Sequence, residues 1–222
     1  MRKAVCLLSG GLDSSTVIYY AKNQGYEVYA LSFDYGQRHK KELDAAKNIA
    51  SSVGAKEHKI LKVDLTQIGG SALTDQNIEV PIDREIEEMT SEIPITYVPM
   101  RNTIFLAFAA AYAEVIGADT IFAGMNFIDY SGYPDCRPEY VNAMQKAIKL
   151  GSKAQNIKIE TPIIRMDKRE IIQLGSKLSV PYKKTWSCYK GGKKACGQCD
   201  SCLLRIKGFE DAGLIDPIEY QK

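Results

Sequence analysis

The sequence predicts an α/β protein: a doubly wound parallel sheet with a small, cysteine-bearing segment at its C-terminal end. Three observations predict it. The first 65 residues alternate short apolar runs with stretches of helical period. Those runs, "KAVCLL" and "EVYALSF", lack the apolar–polar alternation of a half-exposed strand, which marks strands covered on both faces. Four of the six cysteines crowd into residues 188–202. A chain of 222 residues, 45% hydrophobic and 25% charged, can bury one sizeable core. We place a main domain over residues 1–180 and a segment packed on it over residues 181–222.

After "KAVCLL", the stretch "DSSTVIYYAKNQG" spaces Val17, Tyr20 and Ala21 as a helix does, with Gly25 as its stop. "EVYALSF" follows as the second strand. "RHKKELDAAKNIASSVG" is amphipathic and again closed by a glycine, and "HKILKVDL" makes a third strand. Residues 66–99 are irregular, with scattered prolines and acidic groups; a loop so long is functional or mobile. A helix over 102–117, the strand "DTIFAG" and the polar, aromatic loop "MNFIDYSGYPDCRPEY" come next. A helix over 140–150, the strand "IKIETPI" and a helix over 167–178 complete the core. That last helix opens "DKRE", where Asp167 caps and Glu170 reaches back.

Bulk properties exclude some functions. A net charge of +2 argues against a chain that lives on nucleic acid. The most apolar segment, "IFLAFAAAYAEVIGA", is shorter than a membrane span and carries Glu114, so it reads as a buried helix. The apolar stretch behind Arg2 and Lys3 is too short for a secretory signal. The expected place is the cytoplasm, where thiols stay reduced and crowded cysteines argue for metal rather than disulfides.

Two stretches carry chemistry. Ser9-Gly10-Gly11 at the end of a strand and Ser14-Ser15-Thr16 at the start of a helix make an anion cradle. Glycines let backbone N–H groups approach a ligand, hydroxyls add donors, and the helix N-terminus adds positive potential. The loop is neither G-x-x-x-x-G-K-[ST] nor G-x-G-x-x-G. The second stretch is the cysteine run: Cys188, Cys196, Cys199 and Cys202 read C-x7-C-x2-C-x2-C. Four thiolates can close a tetrahedron around one structural zinc ion per chain, and an iron–sulfur cluster is the alternative. Cys6 belongs to the core, and Cys136 is expected in a packing or polar role, with nothing beside it to activate a nucleophile.

"SGGLDSS" resembles the SGGxDS pyrophosphate loop of the N-type ATP pyrophosphatases, whose fold is Rossmann-like and which cleave ATP between the α and β phosphates. The resemblance implies ATP binding by Leu8, Ser9, Gly10, Gly11, Leu12, Asp13, Ser14, Ser15 and Thr16, with Asp13 acting through magnesium. "FDYGQRH", "SGYPDCR" and the terminal cysteines, in this order and over nearly the whole length, resemble the 7-cyano-7-deazaguanine synthase family. That implies conversion of 7-carboxy-7-deazaguanine, ammonia and ATP to the nitrile through an adenylated carboxylate and an amide, toward queuosine or archaeosine. It also implies zinc in the cysteine cluster. Arg38, Arg101 and Asn102 then belong near the nucleotide, and Lys168 neutralises phosphate charge. Asp13, Arg101 and Lys168 are the catalytic candidates; Asp129, Tyr130, Asp135 and Arg137 read the base. The bland readings are that Asn102 caps its helix and Lys168 is solvated. The basic tail, which includes Lys183, Lys184, Arg205 and Lys207, reads as a charge rim around the four thiolates, or one closing over ATP phosphates, rather than an RNA site. Partners are small molecules, without nucleic acid or membrane, and "ITYVPM" leaves a homodimer open. The rival readings are a tRNA-thiolating pyrophosphatase, an NAD synthetase-like ligase and a nucleotide-sensing zinc module.

Overall fold

The structure is a computed structural model that describes residues 1–85, 89, 93–128 and 133–221. Five parallel strands form one sheet in the order β3-β2-β1-β4-β5. Its first half is β1 (Lys3–Leu7), α1 (Leu12–Asn23), β2 (Glu27–Asp34), α2 (Lys41–Val53) and β3 (Glu57–Lys62). Its second half is α3 (Arg101–Ile116), β4 (Thr120–Phe122), α4 (Pro138–Gly151), β5 (Lys158–Glu160) and α5 (Lys168–Lys177), followed in the tail by α6 (Asp200–Asp211). Val5 of β1 lies opposite Tyr29 of β2 on one side and Ile121 of β4 on the other. The strand order turns back between β1 and β4, which opens a crevice outside their carboxyl ends.

Both faces of the sheet are covered, which explains the missing alternation. Val5, Leu31 and Ile121 pack with Leu106 and Ala113 of α3 and with Val141 and Ile148 of α4. Ala4, Cys6, Val28, Ala30 and Phe122 pack on the other face with Val17 of α1, Ile49 of α2 and Ile172 of α5. Each buried aliphatic or aromatic side chain contributes roughly 1.5–3 kcal/mol to folding. Small residues on the second face (Ala4, Cys6, Ala30) let α1 and α2 approach the sheet closely.

Several boundaries differ from expectation. Helix α2 begins at Lys41 rather than at Arg38, because the Gln37 side chain holds the preceding loop: its amide accepts from Tyr35 N–H at 2.7 Å and donates to Phe33 O at 3.1 Å. Helix α3 begins at Arg101 and its N-cap is Met100 in the left-handed region, so Asn102 does not cap it. Nor is α3 buried all round, since Phe108 and Val115 are exposed. The capping box of α5 is as expected: Asp167 Oδ1 accepts from Glu170 N–H at 2.8 Å, and Glu170 Oε2 accepts from Asp167 N–H at 2.9 Å.

The tail is woven into the molecule. Tyr182 and Phe209 belong to the same core as α1 and α5. Trp186 N–H donates to Gly10 O at 2.9 Å. Arg205, expected on a charged rim, is 1% exposed: it grips Asp216 at 2.7 and 2.9 Å and donates to Thr185 Oγ1 at 2.8 Å. The described part of the 66–99 segment is pinned as well, through an Ile82–Cys199 bridge and a bidentate Arg84–Asp200 pair at 3.2 and 2.5 Å.

Candidate active site and metal centre

The loop after β1 sits at the crevice, and packing fixes its shape. Gly10 has φ +83°, and a Cβ there would lie 2.3 Å from Glu42 O, so only glycine fits against the first turn of α2. Gly11 is the N-cap of α1, whose first N–H groups lack intrahelical partners. Ser9 and Ser14 hydroxyls meet at 2.9 Å, and Ser14 Oγ also accepts from Ser9 N–H at 3.2 Å. Beyond β4, Gly124 passes so close that a Cβ would lie 2.9 Å from Ser14 N. Strand ends, loop and helix start thus form one rigid cradle.

Asp13 and Lys168, 155 residues apart, meet there: Lys168 Nζ donates to both Asp13 oxygens, at 2.8 and 2.9 Å. Lys168 is only 9% exposed, unlike the solvated helix lysine of the bland reading. Its stem passes under Gly208 of α6, where a Cβ would lie 2.3 Å from Lys168 Cγ.

The cradle forms one wall of a cleft of about 260 Å³. Leu8, Ser9, Gly11, Leu12, Asp13 and Ser14 line it, as do Arg38, Arg101, Asn102 and Lys168. Thr16 turns away; its hydroxyl donates to Leu12 O at 2.9 Å and meets Tyr182 OH at 2.8 Å. Ser15 is fully buried behind the loop. Arg38 reaches the cleft wall while its guanidinium is taken up by the carbonyls of Ala72, Asp75 and Ile78.

Residues proposed for the base distribute unevenly. Asp129 and Tyr130 lie outside the described residues. Tyr133 and Cys136 line the cleft. Asp135, 3% exposed, accepts from Asn102 N–H at 3.1 Å, and its buried Oδ1 has no hydrogen-bond partner among the described residues. Burial pushes its carboxyl up, opposed by the Asn102 N–H and by Arg101. Arg137 is exposed and caps α4, apart from the cleft. Burial pushes the Cys136 thiol up to about 12, so it is protonated at neutral pH. Its sulfur accepts from Asn102 Nδ2 at 3.4 Å.

Among the lining residues to which sequence reasoning gave no role are Gln37, Glu42, Asn126 and Trp186. Burial pushes the Glu42 carboxyl up to about 7, against Arg101 and a hydrogen bond from Gln37. A glutamate five residues after the glutamine of "GQRH" was the available signal.

The four tail cysteines converge. Their sulfurs lie within 4.8 Å of one another and all are buried. Backbone N–H groups of Cys196, Gln198 and Cys199 point at cysteine sulfurs at 3.3 to 3.4 Å, as donors around thiolates do. Hydrogen bonds from Cys199 and Cys202 hold Cys188 down, while sharing with Cys188 pushes those two thiols up. Four such sulfurs ionise together only around a cation, so the donor set fits a four-thiolate metal.

Fold and site together define an α/β protein with an anion cradle at the switch point of its sheet and a buried four-cysteine cluster that could hold a metal ion. The chain belongs to the family described as queuosine biosynthesis protein QueC, whose model matches residues 3–213. It is 60% identical over 220 residues to a protein of Trichodesmium erythraeum named 7-cyano-7-deazaguanine synthase, covering 97% of this chain and 99% of that one. It is 61% identical over 224 residues to a protein of that name from Thermoplasma acidophilum, covering 100% and 93%. A solved 4-thiouridine synthetase, in complex with RNA and bound ATP, shares the fold at TM-score 0.51 and 19% identity, covering 96% of this chain and 50% of that one.

Proposed function

We propose that this chain is a 7-cyano-7-deazaguanine synthase, converting 7-carboxy-7-deazaguanine and ammonia to the nitrile at the expense of ATP. The carrying observation is that one cleft holds both the serine–glycine cradle and the Tyr133–Cys136 end of "SGYPDCR". Full-length identity to proteins of that name supports it.

On this reading the cradle and the α1 N-terminus hold the pyrophosphate of ATP, leaving the α-phosphorus open to a carboxylate oxygen. Bond formation there releases pyrophosphate and leaves an acyl adenylate. Ammonia then displaces AMP to give the amide, and a second adenylation of the amide oxygen followed by loss of AMP and a proton gives the nitrile. Asp13 is the cleft carboxylate suited to hold magnesium with the phosphates, and the ion supplies charge neutralisation there. Lys168 holds Asp13 in place and faces the developing phosphate charge. Arg101 and Asn102 form the opposite wall, where Asn102 also fixes the Pro134–Cys136 turn. The cysteine cluster takes one zinc ion that orders the tail, including Trp186 at the loop. The tail, residues 181–222, acts as a brace on the catalytic domain. Reduced thiols suit a cytoplasmic enzyme.

The deciding experiment is mass spectrometry of a reaction containing the protein, ATP, magnesium, ammonium and 7-carboxy-7-deazaguanine. The expected result is the nitrile with accumulating AMP. Carboxylate left untouched by metal-loaded protein overturns the assignment, and a reaction that stops at the amide overturns the dehydration step.

A further inference from the structure

Glu42 is the cleft acid to which the synthase chemistry above gives no task. It stands in the first turn of α2, with its carbonyl directly behind Gly10 of the cradle, and it is one of the residues that line the cleft. One carboxylate oxygen accepts from Gln37 Nε2 at 2.9 Å. Gln37 cannot turn its amide round, because its oxygen accepts from Tyr35 N–H and its nitrogen also donates to Phe33 O. The carboxylate is thereby aimed, and its second oxygen takes no hydrogen bond among the described residues. The charged or titratable groups that face it are Arg101 of α3 and Tyr35, and neither closes on it as an ion pair. The same cleft is lined by apolar side chains, Leu31, Phe33, Leu73 and Phe105, as well as by the polar groups of the cradle. A carboxylate aimed into the cleft, with Arg101 facing it but not paired to it, is built to receive a small cation and to exchange a proton near neutral pH.

The chemistry proposed for this cleft needs such a group. Ammonia at neutral pH is almost all ammonium, which has no lone pair with which to attack. We propose that Glu42 binds the ammonium ion that supplies the product's nitrogen and removes one of its protons, an assignment that rests on the synthase reading of the same cleft. In the step, an N–H bond of ammonium breaks and the proton passes to the Glu42 carboxylate. The freed lone pair forms a C–N bond to the acyl-adenylate carbon, and the C–O bond to AMP breaks with its electron pair. The adduct then loses a second proton to solvent, leaving the neutral amide, and Glu42 returns its proton to water before the next turnover. Ammonium plus acyl adenylate thus gives amide, AMP and two protons.

The test compares nucleophiles on one variant. Glu42→Gln keeps the shape of the side chain and can still accept from Gln37, but it cannot take a proton. With 7-carboxy-7-deazaguanine and ATP, kcat/KM for ammonium should fall at least about 100-fold. Hydroxylamine, which is largely unprotonated at neutral pH, should be used within about threefold of the wild-type rate. The amide supplied directly with ATP should still become the nitrile, because that half of the reaction consumes no ammonium. Folding is checked by the thermal midpoint above pH 7. There the variant should match or exceed the wild type, because the raised folded-state pKa makes the ionised carboxylate a cost that glutamine lacks. Equal losses with ammonium, hydroxylamine and amide would assign Glu42 to the shape of the cleft and overturn the proposal. An unchanged ammonium rate would overturn it as well. If the wild type itself makes no product from any of the three, the synthase reading has failed rather than the role of Glu42.

Discussion

At the scale of single residues, the sharpest feature is the Asp13–Lys168 pair. The two side chains are 20% and 11% exposed, so each charge depends on the other more than a surface pair would. Lys168→Met strands Asp13 beside the cradle, and we expect AMP release to fall at least about 100-fold, with a stability loss of roughly 1–3 kcal/mol. Adding Asp13→Asn should return much of the stability and none of the activity. A double-mutant cycle in urea, run beside AMP assays, reads both, and stability that falls further in the double variant would contradict the pairing. Cys136 poses the opposite case. Its thiol, pushed up to about 12 by burial, cannot serve as a nucleophile near pH 7. Cys136→Ser should keep kcat within about threefold, and intact-protein mass spectra during turnover should show no adduct. A loss beyond about 100-fold together with a wild-type adduct would make Cys136 a covalent catalyst.

At the scale of elements, close approach fixes the cradle. Gly124 follows β4 where a side chain would meet backbone, 2.9 Å from Ser14 N, so Gly124→Ala must push the first turn of α1. We expect ATP affinity to weaken about tenfold in a folded protein, by isothermal titration. Gly151→Ala, which meets nothing within 4 Å, should change nothing. Equal affinities for the two variants would mean that the turn is not what grips the phosphates. The elements around this cradle were legible because their signals are local. A doubly covered strand followed by glycines and serines, the Asp167–Glu170 box and the cysteine spacing each lie within about one turn or loop. What escaped was long-range. Nothing near Asn102 announces that Asp135 and Cys136 will take its hydrogen bonds, and the basic tail hides that Arg205 is buried against Asp216. Strands β4 and β5 are shorter than their apolar runs: Ala123 is buried beyond the paired residues of β4, and Ile157 and Ile163 beyond those of β5. Hydrophobic pattern records burial and does not show where a ladder stops.

At the scale of the molecule, the cysteine segment bears on how the whole chain unfolds. A separate tail would melt by itself, yet Tyr182 and Phe209 fill the core beneath α1 and α5, and Arg84 ties Asp200 to the 66–99 segment. The cysteine knuckle also touches the cradle: Trp186 donates through its ring to Cys188 O at 3.0 Å and through its backbone to Gly10 O at 2.9 Å. Metal binding to four thiolates is folding free energy, so its loss should be felt everywhere at once. We therefore expect one calorimetric transition in the metal-loaded protein, and still one after chelation, lowered by more than about 10 °C. Trp186, the only tryptophan in the chain, should report the same event by a shift in its emission, with ATP affinity falling in parallel. Two resolved transitions would mean that the tail folds apart from its domain. A midpoint unchanged after metal analysis reads zero would show that hydrogen bonds and packing alone hold the cysteine segment, leaving the ion no part in shaping the phosphate loop.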